Sequence, residues 1–330
     1  MELKIIYNAH MSSLLLLGGS GFVGTAICSN PTVGTFTKVT SVSRYPHHKY
    51  EDGDKFSFVD NVSWDIREKA KIPSNFDVII HAATPASATL NSNDPNEMFD
   101  VIVQGMKNVI EFASRNSNPP TILFTSSGAV YGEVDNSIDL IPEDWREAVN
   151  PIRPSSAYAE GKRVAEFLLS VASSQGICKA LIARLFAFSG VDLPMDRHFA
   201  IGNFVRDAIL TRTIRVRSDG SSIRSYMDQR DMADWLLRIL EVGQTKTIYH
   251  VGSERSISIR DLAYLIASRA QTILQQEITV EVQGLKSAID GVSRYVPSTL
   301  ATRQALGVSE TVSLEESIDV MIHKAIQEYL

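Results

Sequence analysis

The sequence predicts an α/β protein with a doubly wound parallel sheet, and three observations lead to this prediction. Short apolar runs suit strands that are buried on both faces. Amphipathic helical stretches alternate with these runs, and the first run leads directly into a glycine-rich turn. The strand candidates are residues 14–17, 39–43, 62–64, 76–81, 121–125 and 180–185, and the helix candidates are residues 22–27, 97–114 and 156–173. Strands and helices that alternate in this way form parallel sheets with right-handed crossovers.

The regular alternation weakens after Gly190, where short polar segments precede a strand candidate at 248–251 and a helix candidate at 259–271. We therefore predict a dinucleotide-binding domain and a smaller, interleaved substrate-binding lobe at the C-terminal side. The domain covers residues 12–187 with a later contribution around 225–252, and the lobe covers residues 188–224 and 253–330.

The composition is that of an ordinary globular protein, with 330 residues, 44% of them hydrophobic and 21% charged. The net charge of -6 gives no indication of a nucleic-acid or membrane partner. Because Cys28 and Cys178 have no metal-binding or redox spacing, we expect no metal and a reduced, cytoplasmic setting. Residues 1–11 lack the features of a secretory signal and are expected to be an extension or an expression remnant.

The segment GGSGFVG places glycines at Gly18, Gly21 and Gly24, between a strand candidate and a helix candidate. Glycine allows a sharp turn and lets the backbone approach a pyrophosphate, while Phe22 and Val23 offer N–H groups at the start of the helix. This context predicts a Rossmann-type dinucleotide site. The alternative is a tight turn that binds no ligand.

The end of the second strand carries Ser43 and Arg44, where an NAD site usually carries an acidic residue. A serine and an arginine can bind a 2′-phosphate, so NADP(H) is favoured and NAD stays open. Asp65 and Ile66, which follow the third strand, are expected to contact the adenine. The alternatives are a solvated loop charge for Arg44 and a helix cap for Asp65.

A catalytic set is predicted from Ser127, at the end of the fifth strand, and from Tyr158 and Lys162 in the segment YAEGK. The tyrosine and lysine share one helix face because they are four residues apart. A nearby ammonium and an oxidised nicotinamide would stabilise a tyrosine phenolate, which could exchange a proton with a substrate oxygen. Since YxxxK is common on solvated helix faces, the prediction depends on the combination with Ser127 and the glycine turn.

These motifs, with SSGAVYG at 126–132 and RSYMDQRD at 224–231, resemble the extended short-chain dehydrogenase/reductases of the NAD-dependent epimerase/dehydratase family. The resemblance covers residues 12 to about 325. It implies that Ser127, Tyr158 and Lys162 form a catalytic triad and that Lys162 also binds the nicotinamide ribose. It implies that Ala82 and Ala83 line the cofactor. It also implies a homodimer through a four-helix bundle.

The resemblance further implies a nucleoside-diphosphate sugar as substrate. Asn203 and Arg224 match family residues that contact the diphosphate, and Arg294 is a candidate for a second phosphate contact. Their alternative is a surface salt bridge, above all for Arg294. Ala187 stands where many members have asparagine, so the exact substrate cannot be transferred from the family.

Gly128 and Ala129 follow Ser127, at positions where the family's sugar 4,6-dehydratases carry an Asp-Glu pair and its sugar-acid decarboxylases keep a glutamate. Neither residue titrates, so dehydration and decarboxylation are disfavoured. An NADPH-dependent reductase of a 4-keto-6-deoxyhexose nucleotide, of the kind that makes deoxysugar donors for surface polysaccharides such as O-antigen, is favoured. A C4 epimerase with tightly bound NAD is the close alternative, and a non-catalytic NADP-binding protein is a third.

Overall fold

The computed structural model describes residues 12–45, 59–85, 87–135, 137–196, 199–284 and 293–330. The proposed extension at residues 1–11 lies outside this part of the chain. The predicted α/β class is confirmed, because a seven-stranded parallel sheet forms the centre of the molecule. Its strands, numbered in chain order, are β1 (Ser13–Leu17), β2 (Lys38–Ser43), β3 (Val59–Ser63), β4 (Val78–His81), β5 (Thr121–Ser127), β6 (Lys179–Leu185) and β11 (Ile248–Val251).

Helices cover both faces of this sheet and continue into the second half of the chain. They are α1 (Phe22–Cys28), α2 (Ala88–Asn93), α3 (Pro95–Ala113), α4 (Ala157–Ser174), α5 (Ala200–Leu210), α6 (Gln229–Val242), α7 (Ile259–Leu274), α8 (Leu300–Leu306) and α9 (Leu314–Tyr329). In the part of the chain that the structure describes, no helix is long and apolar enough to cross a membrane.

The strand order of the central sheet is β11-β6-β5-β4-β1-β2-β3. Four consecutive leucines of β1, Leu14–17, are fully buried, as expected for a strand covered on both faces. The order reverses at β1, which pairs with β2 on one side and with β4 on the other. Ligands of such sheets bind outside the carboxyl ends of the strands at this reversal, so this edge is where a site is expected.

The position of β3 at the edge of the sheet explains why its sequence pattern was weak. The prediction placed a strand at residues 62–64, whereas β3 runs from Val59 to Ser63. Only Val59 is buried, because the strand pairs with β2 on one side only. A half-exposed edge strand lacks the continuous apolar run of a central strand, and its limits are therefore hard to predict.

The second half of the chain packs α5, α7 and α9 around a separate apolar cluster. Among the described residues, short strands accompany these helices, and several were not predicted because they have only two to four residues. They are β7 (Phe188–Ser189), β8 (Thr213–Val216), β9 (Ile223–Ser225), β10 (Met227–Asp228), β12 (Ser256–Ser258), β13 (Thr279–Val282) and β14 (Arg294–Tyr295). Strand β9 lies between β12 and β14, and this small sheet faces the carboxyl edge of the central sheet across a cavity.

Candidate active site

A cavity of about 1040 Å³ lies at the carboxyl edge of the central sheet. Its volume is at the upper end of the roughly 300–1,000 Å³ that ligand sites occupy. Most of the predicted site residues line it: Gly18, Gly21, Phe22, Val23, Ser43, Arg44, Asp65, Ile66, Ala82, Ala83, Ser127, Tyr158, Lys162 and Arg224. The cavity thus brings together residues that lie more than two hundred positions apart in the sequence, from Gly18 to Arg224.

The glycine turn packs closely against the end of β4, and it has no room for a side chain at Gly18 or Gly24. Gly18 has φ +89°, and a Cβ built on it would lie 2.6 Å from the carbonyl oxygen of Ala82. A Cβ on Gly24 would lie 2.3 Å from the carbonyl oxygen of Gly18. The bare backbone at Gly18 and Gly21 lines the cavity, and this arrangement fits the pyrophosphate of a dinucleotide.

Ser43, Arg44, Asp65 and Arg67 lie at one end of the cavity, which we call the adenosine end because three of these residues were predicted to bind that part of the cofactor. The carboxylate of Asp65 accepts a hydrogen bond from Arg67 Nη2 at 2.6 Å, and Arg67 also forms an ion pair with Glu97 at 2.5 Å. The Arg67 hydrogen bond is the main reason that the pKa of Asp65 lies below its ordinary value. Asp65 also accepts from the backbone N–H of Arg67, so it both lines the cavity and closes a local turn.

The other end of the cavity is formed by β5 and α4, and we call it the catalytic end because it holds the predicted catalytic residues. Ser127 is the last residue of β5, and its hydroxyl accepts a hydrogen bond from the backbone N–H of Ala129 at 3.2 Å. The amide of Tyr158 donates to Asn91 Oδ1 at 2.9 Å, which fixes the first turn of α4. One turn later, Lys162 Nζ donates to the carbonyl oxygen of Thr125 at 2.7 Å. These contacts hold all three predicted catalytic side chains at one end of the cavity.

Burial shifts the pKa values of Lys162 and Tyr158 at this end of the cavity. Burial lowers the pKa of Lys162 to about 7, although the nearby carboxylate of Glu166 opposes this shift. Burial also raises the pKa of Tyr158, against an opposing hydrogen bond with Ser127. The Lys162 ammonium lies 5.8 Å from the centre of the Tyr158 ring and donates to Thr125 instead. Both shifts favour the neutral phenol of Tyr158 in the protein alone. The phenolate that was predicted with an oxidised nicotinamide in the site stays a prediction.

A buried polar cluster behind the catalytic residues was not predicted. Glu166 accepts from Ser126 Oγ at 2.5 Å and pairs with Arg184 at 2.6 Å. The Arg184 guanidinium lies 4.6 Å from the centre of the Tyr131 ring. Tyr131 contacts Nε2 of His250 at 2.6 Å, and His250 Nδ1 donates to a backbone carbonyl oxygen. The sequence did contain a sign of this cluster, because the charged residue Arg184 stands within the apolar run of β6. A charged residue in a buried strand indicates a buried partner of opposite charge.

Position 128 is filled by two aromatic side chains from elsewhere in the chain. A Cβ on Gly128 would lie 2.6 Å from Cε1 of Phe186 and 2.7 Å from the hydroxyl of Tyr295. The two rings contact each other with centroids 4.9 Å apart. Both aromatic residues line the cavity, and neither was predicted as a site residue.

The three predicted substrate residues differ in position. Arg224, in β9, lines the cavity, is half-buried and donates to the carbonyl oxygen of Ile223 at 2.7 Å. Burial lowers its pKa from the ordinary arginine value. Asn203 and Arg294 are not among the described residues that line the cavity, and Arg294 forms an ion pair with Asp139 at 3.3 Å. Arg294 thus makes the surface salt bridge that was its alternative, and Asn203 lies half-buried in α5.

No group of three or more His, Cys, Asp or Glu side chains that could hold a metal is found within the described ranges. The parallel sheet, the glycine turn and the Ser127–Tyr158–Lys162 arrangement define an extended short-chain dehydrogenase/reductase. The chain belongs to the NAD dependent epimerase/dehydratase family, whose model matches residues 14–252. The predicted family is therefore confirmed, and the chain is an enzyme of an NAD(P)-binding family.

Two curated relatives illustrate the sequence similarity. The chain is 27% identical over 311 residues to UDP-glucuronic acid decarboxylase 3 of Arabidopsis thaliana, covering 93% of this chain and 87% of that protein. It is 25% identical over 338 residues to UDP-glucuronic acid decarboxylase 1 of Danio rerio, covering 99% of this chain and 78% of that protein.

Solved structures share the fold at lower identity. UDP-glucuronic acid 4-epimerase from Bacillus cereus, a mutant solved with NAD and a fluorinated substrate analogue, has a TM-score of 0.79 at 19% identity and covers 96% of this chain and 100% of that one. The NADPH complex of RMD from Pseudomonas aeruginosa has a TM-score of 0.75 at 21% identity, with the same two coverages.

Proposed function

We propose that this enzyme carries out NAD(P)-dependent redox chemistry on a nucleoside-diphosphate sugar, and that it reduces a 4-keto-6-deoxyhexose nucleotide with NADPH. The observation that carries this proposal is the placement of Ser127, Tyr158 and Lys162 together at one end of the cavity, where Ser127 and Lys162 are buried. A reductase needs a proton donor at the carbonyl oxygen, and a protonated tyrosine supplies one.

Each residue of the triad has a distinct task in this proposal. Bound NADPH would supply the hydride for the carbonyl carbon. Ser127 donates a hydrogen bond to the carbonyl oxygen, and Tyr158 transfers its phenolic proton to the same atom. Lys162 is held by the carbonyl oxygen of Thr125, within reach of the cofactor pocket, and would bind the nicotinamide ribose. Its ammonium stabilises the phenolate that remains after proton transfer.

The preference for NADPH rests on the end of β2. Ser43 and Arg44 line the cavity there, and neither carries the negative charge that would repel a 2′-phosphate. The guanidinium of Arg44 is exposed and can turn toward a phosphate. Arg67 does not strengthen this preference, because Asp65 and Glu97 already engage its guanidinium.

The nucleotide-sugar substrate is supported by the relatives and by Arg224. The similar decarboxylases and epimerases carry names of enzymes that act on UDP-sugars. Arg224 is the predicted diphosphate residue that lines the cavity, so the proposal places the diphosphate beside it. Asn203 and Arg294 carry less weight, because neither is among the described residues that line the cavity and Arg294 pairs with Asp139.

Two other reactions of the family are alternatives. A C4 epimerase with tightly bound NAD needs the same triad, and the 4-epimerases among the solved structures share this fold. Decarboxylation is suggested by the names of the sequence relatives. It is disfavoured because Gly128 and Ala129 carry no carboxyl group, and because Phe186 and Tyr295 fill the space beside Gly128.

We also propose that the enzyme is a cytoplasmic homodimer that makes deoxysugar donors for surface polysaccharides such as O-antigen. The dimer would form through a four-helix bundle of α3 and α4, which pack against each other along the sheet. The side chain of Phe167 in α4 is 66% exposed, as a residue at such an interface would be in a single subunit.

The first test is anaerobic denaturation of the purified protein, with quantitation of the released dinucleotide. A site that is empty and binds NADPH more tightly than NADH supports the reductase, and dTDP-4-keto-6-deoxyglucose is then assayed by NADPH oxidation. NAD near one equivalent per subunit, with interconversion of UDP-glucose and UDP-galactose, supports the epimerase instead. Release of CO₂ from UDP-glucuronic acid would overturn both.

A further inference from the structure

We propose that Ser126 and Glu166 are positioning residues, and that the hydrogen bond between them holds the end of β5 in the geometry that the catalytic residues need. This inference rests on the proposed function, because it concerns how Ser127 and Lys162 are placed for the reaction. Neither Ser126 nor Glu166 was predicted as a site residue from the sequence. Both belong to the buried polar cluster behind the catalytic end of the cavity.

Helix α4 is bonded to the end of β5 at two consecutive residues. Lys162 Nζ donates to the carbonyl oxygen of Thr125 at 2.7 Å. One helical turn further along α4, Glu166 Oε1 accepts from Ser126 Oγ at 2.5 Å. The next residue of β5 is Ser127, which ends the strand. Two of the three catalytic residues therefore depend on the segment that Ser126 ties to α4.

The position of Glu166 is itself fixed by β6. Arg184 donates to both carboxylate oxygens of Glu166, from Nε at 2.9 Å and from Nη2 at 2.6 Å. Such a two-point contact between a guanidinium and a carboxylate restricts the direction of both groups. In the register of β5 and β6, Arg184 lies opposite Ser126. Glu166 thus links neighbouring residues of two strands to α4.

Arg184 also packs on the turn that follows β5. Its guanidinium carbon lies 4.6 Å from the centre of the Tyr131 ring, and the Tyr131 hydroxyl lies 2.6 Å from Nε2 of His250. Burial keeps the His250 ring neutral by lowering its pKa to about 3, and its Nδ1 donates to the carbonyl oxygen of Ser298. Nε2 therefore accepts from Tyr131. Because His250 lies opposite Arg184, the row that starts at Ser126 crosses three strands.

Stability alone does not account for this row. Replacement of a buried ion pair by well-packed apolar residues is often neutral or stabilising. A fully hydrogen-bonded network, however, fixes the direction of each member in a way that apolar packing does not. Direction matters beside Ser127, because a shift of about 1 Å in a catalytic group can lower a rate by about a hundredfold. The row lies where such control is needed.

The test is Ser126→Ala, which removes one hydroxyl and leaves the pair of Glu166 and Arg184 in place. In the reduction of dTDP-4-keto-6-deoxyglucose by NADPH, kcat should fall about tenfold because Ser127 and Lys162 lose their alignment. The Kd for NADPH and the KM for the sugar nucleotide should change less than about threefold, since the substitution leaves the binding residues elsewhere in the cavity intact. A weaker affinity for NADPH with unchanged kcat would mean that Ser126, which lines the cavity, contacts the cofactor directly. That result would overturn the proposal.

Ser317→Ala is the matched control. Ser317 is a buried serine of α9 that donates to Ser189 Oγ at 2.8 Å, and neither residue is among the described ones that line the cavity. Each substitution removes one buried hydroxyl, so both should lower the melting temperature by a similar amount, about 1–3 °C. Only Ser126→Ala should lower kcat. An equal loss of kcat in the two variants would mean that general destabilisation explains the effect, and would contradict the positioning role.

A second measurement needs no turnover. Hydrogen exchange of the backbone amides in residues 124–131 reports how firmly the end of β5 and its turn are held. Ser126→Ala should accelerate this exchange about two- to tenfold, the loss expected for one hydrogen bond, whereas Ser317→Ala should leave it unchanged. Unchanged exchange in Ser126→Ala would overturn the proposal. Faster exchange in a protein that turns over no nucleotide sugar would keep the positioning role and reject the proposed function.

Discussion

The two ends of the cavity differ in how far their polar and charged side chains are exposed to solvent. At the catalytic end, Ser127 is 8% exposed and Lys162 is 2% exposed, and burial sets the protonation of Tyr158 and Lys162. At the adenosine end, Arg44 is exposed, and the ion pair of Asp65 and Arg67 is partly open to solvent. Interactions between exposed charges are weakened by water and salt, whereas buried polar groups depend on their exact partners. Single substitutions should therefore have larger effects at the catalytic end.

The largest effect is expected from Tyr158→Phe. Removal of the phenolic proton donor should lower kcat by about a thousandfold, within the range of general acid catalysis. The affinity for NADPH, measured by fluorescence titration, should change little because the ring remains. Full activity of this variant would show that Tyr158 is not the proton donor. It would also contradict the expectation that substitutions at the catalytic end have the larger effects.

The next largest effect is expected on the free energy of unfolding, where a buried ion pair is compared with an exposed one. The buried pair of Glu166 and Arg184 should lose about 3–5 kcal/mol of unfolding free energy in Glu166→Ala, because an unpaired buried guanidinium remains. The exposed pair of Arg153 and Glu133, at 2.7 Å, is the matched control. Urea unfolding of Arg153→Ala should show a change of about 0–1 kcal/mol. Similar losses in the two variants would contradict the comparison.

Arg224→Ala tests whether the second half of the chain binds the diphosphate of the substrate. Arg224 is half-buried and lines the cavity, so loss of its charge should raise the KM for the sugar nucleotide about tenfold. Arg294→Ala is the natural control, because Arg294 pairs with Asp139 and should change KM less than twofold. Equal effects of the two substitutions would argue that the diphosphate lies between them.

A smaller effect is expected at the adenosine end. Arg44→Ala should weaken the binding of NADPH about three- to tenfold, since the guanidinium is exposed and its contact with a 2′-phosphate is screened. The binding of NADH should hardly change, so the preference between the two cofactors is the quantity to measure. The loss should shrink further in high salt, and a salt-independent preference would exclude Arg44 as its source.

The pH dependence should give the smallest change, and its sign follows from Lys162. Burial lowers its pKa to about 7, so the free enzyme loses this proton as pH rises through about 7. The ammonium is the form that supports the phenolate of Tyr158, so kcat/KM for reduction should fall above that pH. Glu166→Gln removes the charge that favours the ammonium, and should move the fall to lower pH. A fall that moves to higher pH would contradict this account.

The parts of the site that are contiguous in sequence were predictable. The glycine turn and the pair of Tyr158 and Lys162 depend on local spacing, and Gly18, Gly21, Tyr158 and Lys162 line the cavity, whereas Gly24 does not. The partners of Glu166 and the position of Tyr295 depend on contacts between distant strands, which no local pattern specifies. The prediction selected Arg294 for its charge, whereas its neighbour Tyr295 reaches the cavity because alternate residues of a strand face opposite sides.

The filled space at Gly128 also limits how this enzyme could acquire another reaction. A carboxylate at that position would have to displace the Phe186 ring and the Tyr295 hydroxyl, which lie within 2.7 Å of the first side-chain atom. A change toward elimination chemistry therefore needs coordinated replacement on three separate segments. Each single replacement would pass through a poorly packed or overcrowded intermediate. The packing of Phe186 and Tyr295 therefore makes a carboxylate at position 128 unfavourable unless both aromatic residues also change.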